Sequence, residues 1–445
     1  MREQNRTITR PGHGNREQMA THHENAAPGT GPAPGSGATT GTSAKRRTFL
    51  GYLALMGPAF VVGAWQFGPG NLTTAVQAGS RFDYTLVWVI AVSTVLMIFF
   101  TDMSVRLGIA TPTSLITSIK EHLGKPVGLL AGIGVFGITL MFSVGNAVGS
   151  GLGLSLVFGG SPVLWTVVCT AAVAFVLAFR NVYGIIEKAL LVIVALMAVA
   201  FIASAVVAQP DWYRSMEGMV PSLPAGSEIL VVALVGTNFS INAAFYTSYG
   251  IKENKRTRAD YRDITLVDTI PGIVAPGIMT ALVILVAASV LGKTGGEAGS
   301  ITALASIFEP LAGPVGSMLF ALGLSGAAFS SMIANATAGG TMFSDAMGRG
   351  ARAGSPVARI VTGVILAFGL IITLAFQASP VGLIVIAQSL TVLIAPMLGI
   401  LLFIMSNKAA VMGELRNRWW HNLFGAIGLI AIVASSIRLI TTLLG

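Results

Sequence analysis

The sequence predicts an all-α membrane protein of eleven transmembrane helices, arranged as a 5+5 inverted repeat with broken helices 1 and 6 and an extra helix 11. Three observations lead there. Of the 445 residues 53% are hydrophobic and only 10% charged, with a mean hydropathy of +0.77, so most side chains are suited to hydrocarbon rather than water. Apolar runs of about 20 residues, enough to cross a bilayer, recur along the chain. Two of them, the first and the sixth, are interrupted by residues that do not continue a helix.

Residues 1–46 are rich in Gly, Pro, Ser, Thr, Asn and Arg and nearly free of large apolar residues, so they are expected to form a disordered cytoplasmic tail. His22-His23 in this tail read as solvated residues rather than a metal-binding pair. Lys45-Arg46-Arg47 precede the first apolar run, but no small-residue cleavage site follows, so that run is expected to be a retained helix and not a signal peptide. The expected spans lie near 49–78, 84–107, 126–158, 162–179, 184–208, 227–250, 268–292, 312–345, 357–377, 380–406 and 422–444. They divide into repeat one (49–208), repeat two (227–406) and helix eleven (422–444).

With the amino terminus in the cytoplasm, all but Arg81, Arg214, Lys293 and Arg438 of the 27 Lys and Arg residues fall on the inner side. The positive-inside rule supports this orientation, with the carboxyl terminus outside, and the plasma (inner) membrane is the expected location. The net charge of +9 belongs to the tail and inner loops, including Lys252 to Arg262, and requires no nucleic-acid partner. The expected partners are the lipid bilayer and a small inorganic solute. The lone Cys169 excludes a disulfide within the chain and reads as a small buried apolar residue.

The first break is Phe67-Gly68-Pro69-Gly70-Asn71, and the second is Gly236-Thr237-Asn238-Phe239-Ser240-Ile241-Asn242. A backbone break at membrane depth leaves amides and carbonyls without helical partners, which hydrocarbon does not tolerate unless they line a cavity or bind a solute. Spans one and six each open a five-helix unit, so matched breaks point to an inverted repeat. The plainer alternatives are a kink at Gly-Pro-Gly and interhelical hydrogen bonding by the Ser/Asn cluster. Gly149-Ser150-Gly151-Leu152-Gly153 lies inside the third span with no strand before it, and reads as close helix packing rather than a dinucleotide loop.

From about residue 50 to the end the chain resembles the Nramp family of divalent-metal transporters, whose fold is LeuT-like. Gly57-Pro58, Gly68-Pro69-Gly70-Asn71 and Ala78-Gly79-Ser80-Arg81-Phe82 resemble the family's first helix, which carries Asp-Pro-Gly-Asn. Arg106-Leu107-Gly108-Ile109-Ala110-Thr111 resembles the end of its second helix. Ala387-Gln388-Ser389 with Pro396 resembles its tenth, and Met412-Gly413-Glu414 with Asn417 the loop before its eleventh. By this resemblance, Gly68 stands where the family has its metal-binding aspartate, and Ser240, Ile241 and Asn242 stand where it has Met-Pro-His. Ser143 and Asn146 stand at an acidic pair of the proton pathway. A magnesium-transporting branch gives up the methionine but keeps the aspartate, so Gly68 departs further. Asn71 and Gln388 match site positions.

The residues read alone agree. Every acidic residue falls in the tail, in loops or near helix ends, including Asp102, Glu187, Asp268 and Asp345, and Asp102 can pair with Arg106 one turn on. Histidines are likewise absent from mid-membrane. Ionisable groups at the bilayer centre cost about 2.5–3.5 kcal/mol and usually serve ion handling or proton relay. A site without carboxylate, imidazole or sulfur suits hard ions better than Mn²⁺ or Fe²⁺. Two helix amino termini converge at the breaks and favour an anion. The expected substrate-binding residues are Gly68, Gly70, Asn71, Thr237, Asn238, Ser240, Asn242 and Gln388, with no catalytic residue, metal ligand or cofactor. Coupling to Na⁺ through carbonyls and hydroxyls stays open beside uniport.

These features lead to an expected secondary transporter of Nramp fold that carries a small anion, specifically bicarbonate. The alternative is a divalent-cation transporter that takes a largely hydrated, Mg²⁺-like ion on neutral oxygens. A non-transporting receptor or assembly subunit is a third class. An enzyme is not expected, because no nucleophile, base or metal constellation is present.

Overall fold

The computed structural model describes residues 55, 57–178, 195–196, 198–292, 305, 313–377 and 379–444. The expected tail, Lys293, Glu187 and the first half of the fifth span lie outside the described residues. Proline opens many of the helices, because its missing N–H costs nothing in a first turn and its φ is already helical. The chain runs through α1 (Pro58–Gln66), α2 (Pro69–Phe82), α3 (Val87–Ala110), α4 (Leu115–Leu123), α5 (Lys125–Phe158), α6 (Pro162–Ala178), α7 (Ala198–Ala208) and α8 (Trp212–Glu217). It continues through α9 (Glu228–Asn238), α10 (Ile241–Glu253), α11 (Ile270–Val290), α12 (Pro314–Ala346), α13 (Pro356–Ala375), α14 (Pro380–Asn407) and α15 (Trp419–Leu444).

Among the described residues eight helical stretches are long and apolar enough to cross a membrane, where eleven spans were expected. The difference has a local reason in each case. The first span is divided into α1 and α2, α6 has 17 residues, and the described part of the fifth span is the short α7. The sequence reading did not anticipate α4, whose Ser114 caps its own amino terminus by accepting from Thr117 N–H, or α8.

Small residues bring the helices together. A Cβ at Gly132 would lie 2.0 Å from Ala346 Cβ, and one at Gly153 would lie 2.2 Å from Ser325 Oγ, so α5 and α12 approach backbone to backbone. Gly149 faces the Pro69 ring and Gly151 faces Thr166, so the Gly149–Gly153 stretch sits in close helix contacts. α1 meets α11 the same way, with Gly63 against the Gly272 carbonyl.

The buried acids tie helix ends. Asp102 accepts from Arg106 Nε (2.8 Å) and Tyr261 OH (2.8 Å), while Arg106 also donates to Leu415 O and Asn417 Oδ1. Asp345 accepts from Ser114, Thr117 and Tyr249 hydroxyls at 2.5, 2.7 and 2.5 Å. Asp268 sits on a single π-helical turn, Thr265–Thr269, and caps α1 from across the fold. Its carboxylate accepts from Gly57 N–H (2.8 Å) and Ala59 N–H (3.0 Å), and α1 has no side-chain cap of its own. Asp268→Ala should therefore destabilise the protein by about 1.5–3 kcal/mol, the scale of hydrogen bonds to a buried charge. Thermal unfolding in detergent measures this, with Asp268→Asn recovering part of the loss.

Candidate functional site

Both interruptions are two residues long. After α1, Phe67 donates to Gly63 O (3.2 Å) and turns out of the helix (φ −78°, ψ 57°); Gly68 is extended (φ −104°, ψ −172°). Proline disfavours helix in the residue before it and brings no N–H, so the Gly68-Pro69 pair fixes the break there. After α9, Phe239 (φ −94°, ψ 65°) and Ser240 (φ −81°, ψ 87°) leave the helix, and Ser240 O then accepts from Ala243 and Ala244 N–H to start α10. Here short polar side chains replace proline as the breaker. Ser240 Oγ donates to Asn242 Oδ1 (2.8 Å), a local bond that competes with helical pairing.

α14 joins the two breaks through Gln388. Its backbone carbonyl packs on Gly236, where a Cβ would come within 2.3 Å. Its side chain lies between Gly70 and Gly145, where added Cβ atoms would stand 2.6 Å from Cδ and 2.7 Å from Nε2. Glycine at these positions is what lets one glutamine touch α2, α5 and α9 together.

The centre is closed, since Gly68, Gly70, Asn71, Thr237, Ser240, Asn242 and Gln388 are all buried. Asn71 Nδ2 donates to Gln66 O at 2.6 Å, bridging the first break and fixing the amide so that Oδ1 is the atom left over. Asn71 Oδ1 and Gln388 Oε1 are both buried without hydrogen-bond partners, as are Gln66 Nε2 and Asn242 Nδ2. An unpaired buried polar atom costs about 1–3 kcal/mol, and these four lie at the two breaks or on the glutamine that joins them.

Not every expected residue joins this centre. Asn238 turns away: its Nδ2 donates to Ser93 Oγ (2.7 Å) and Thr94 Oγ1 (2.9 Å), tying α9 to α3. Asn238→Ala should lower the unfolding temperature while leaving substrate KM unchanged, which transport kinetics and a melting curve check together. Thr237 is buried on the last turn of α9. Ser143 donates to Ile365 O (2.7 Å), an interhelical bond, whereas Asn146 Nδ2 is buried without a partner.

Sequence reasoning missed Ser331. A Cβ at Gly68 would stand 2.8 Å from Ser331 Oγ, which donates to Trp65 O (3.0 Å), one of the last carbonyls of α1. A hydroxyl from α12 thus fills the space a side chain at position 68 would take and donates to the Trp65 carbonyl. The only hint in the sequence is the Ser330-Ser331 pair inside an apolar span. Among the described residues no group of three or more His, Cys, Asp or Glu is placed to hold a metal.

Two interrupted helices closing on a buried polar centre, inside a bundle of membrane-length helices, define a membrane transporter of the broken-helix class. The chain belongs to the Nramp family: residues 59–442 match the family described as "Natural resistance-associated macrophage protein-like". It is 27% identical over 402 residues to the divalent metal cation transporter MntH of Deinococcus radiodurans, covering 88% of this chain and 91% of that one. Identity to MntH of Bacillus subtilis is 28% over 414 residues, covering 89% and 94%. The Eremococcus coleocola manganese transporter, solved with an aromatic bis-isothiourea compound, superposes with a TM-score of 0.72 at 19% identity over 88% of this chain and 87% of that one. MhsT in complex with L-phenylalanine superposes with a TM-score of 0.53 at 17% identity over 85% and 98%, a likeness of fold alone. The two MntH relatives and the Eremococcus coleocola protein are named as transporters of divalent metal cations or manganese, not as enzymes, which does not support the bicarbonate expectation.

Proposed function

We propose that the chain is a divalent-cation transporter that takes a hard, largely hydrated ion, Mg²⁺ foremost, through neutral oxygen ligands at the two breaks. The carrying observation is the pair of buried, unpartnered amide oxygens, Asn71 Oδ1 and Gln388 Oε1. Asn71 uses one of its two amide N–H bonds on Gln66 O, while its Oδ1 has no partner, so the acceptor is the atom of this amide left wholly free for a solute. The divalent-metal relatives support the same sign of charge. Mg²⁺ is a hard ion that takes oxygen ligands and keeps several waters, so amide and carbonyl oxygens can complete its shell in place of its usual carboxylate, whereas Mn²⁺ selectivity has no soft ligand here to rest on. The matched two-residue breaks support a 5+5 inverted repeat, with Gly68, Gly70, Asn71, Ser240, Asn242 and Gln388 as the substrate site.

A second reading, transport of a small oxyanion such as bicarbonate, rests on the unpartnered Asn242 Nδ2 and the amino termini of α2 and α10. Proteoliposome uptake separates the two. Saturable Mg²⁺ entry with no labelled-bicarbonate flux supports the first; bicarbonate flux with no Mg²⁺ entry would replace it by the second.

A further inference from the structure

A slot of about 360 Å³ between α3, α9 and α15 lies apart from the site above. Its walls are almost wholly apolar, with Val92, Val231, Val235 and Ala431 along them, and it reaches Phe239, one of the two non-helical residues of the second break. At the other end stands an ion pair, Arg438 Nη2 donating to Glu228 Oε1 at 2.8 Å, with the two side chains 57% and 27% exposed. Trp88, also lining the slot, donates Nε1–H to Ser222 O (3.0 Å). Tryptophan concentrates where hydrocarbon meets head groups, so the ion pair stands at head-group depth and the slot runs inward from it.

The rim chemistry narrows the occupant. Arg438 uses one of its five N–H donors on Glu228, and the remainder of the fork matches a phosphate. The carboxylate beside it opposes a head group of net negative charge and favours an ammonium that has N–H bonds to donate. The apolar walls admit an acyl chain and offer a polar ligand almost nothing. We propose that this slot binds a phospholipid whose head group carries both a phosphate and a primary ammonium, the phosphate on Arg438, the ammonium on Glu228, and one acyl chain reaching Phe239. The lipid would thereby touch the residue at which α9 gives way to α10, whichever solute the centre carries.

Native mass spectrometry of the full chain, released from bilayers holding equal amounts of phosphatidylethanolamine, phosphatidylglycerol and phosphatidylcholine, tests this. The expected result is retention of the ethanolamine lipid about fivefold above the other two, the scale of one charge-assisted hydrogen bond at an exposed rim. Arg438→Gln should erase the preference, Arg438→Lys should keep part of it, and Ala431→Phe should block the slot and remove the bound lipid. Equal retention of all three lipids by the native chain, or a preference unchanged in Arg438→Gln, would overturn the proposal.

Discussion

Asn71→Ala is expected to reduce Mg²⁺ uptake into proteoliposomes by about 100-fold, because two interactions disappear together. The unpartnered Oδ1 is lost as a ligand, and Gln66 O loses the amide that ties the end of α1 to the start of α2. Each contributes on the order of 1.5 kcal/mol, and each 1.4 kcal/mol is tenfold. Asn71→Asp sharpens the result, since it keeps the acceptor oxygens and adds a negative charge. Cation affinity should rise in that variant, whereas an anion carrier would lose flux altogether. Near-native Mg²⁺ uptake by Asn71→Ala would mean that Asn71 serves as a helix bridge and nothing more.

The second large effect concerns position 68. Gly68→Asp alone forces Ser331 Oγ, 2.8 Å from the new Cβ, off Trp65 O, which costs about one neutral hydrogen bond, 0.5–1.5 kcal/mol. Adding Ser331→Ala removes the obstacle, because Ser331 Cβ lies at an ordinary 3.5 Å from that Cβ, and it also frees Trp65 O to face an ion. Both variants should bind Mn²⁺ more tightly than the native chain, with the double variant about tenfold tighter than Gly68→Asp alone. Isothermal titration of Mn²⁺ measures it. If neither variant binds Mn²⁺ more tightly than the native chain, the solute does not sit between residues 68 and 331.

The breaks were legible because Gly-Pro-Gly and Ser-Ile-Asn are local facts: they forbid or discourage helix wherever the chain is placed. Long apolar runs such as those forming α3, α5, α12 and α14 were legible for the same reason, since composition alone decides which segments hydrocarbon accepts. What could not be read depends on which helix lies beside which. Asn238 looked like a ligand until α3 set Ser93 and Thr94 against it, and Ser331 looked like one more small residue until α12 brought it to Gly68. The expectation of an anion arose in the same gap. It rested on the helix amino termini and the missing carboxylate, and only the fold shows that Asn71 turns one N–H to Gln66 O and leaves its Oδ1 without a partner. Asp268 is a further case, a cap supplied from 209 residues away along the chain to a helix that has none of its own.

Isothermal titration of the native chain with MgCl₂, repeated with MnCl₂ and with bicarbonate, tests the central claim most directly. A centre of neutral oxygens predicts millimolar-range Mg²⁺ binding, Mn²⁺ no tighter than Mg²⁺, both weakened in Asn71→Ala, and no heat from bicarbonate. Micromolar Mn²⁺ affinity, or bicarbonate binding without Mg²⁺ binding, would contradict it.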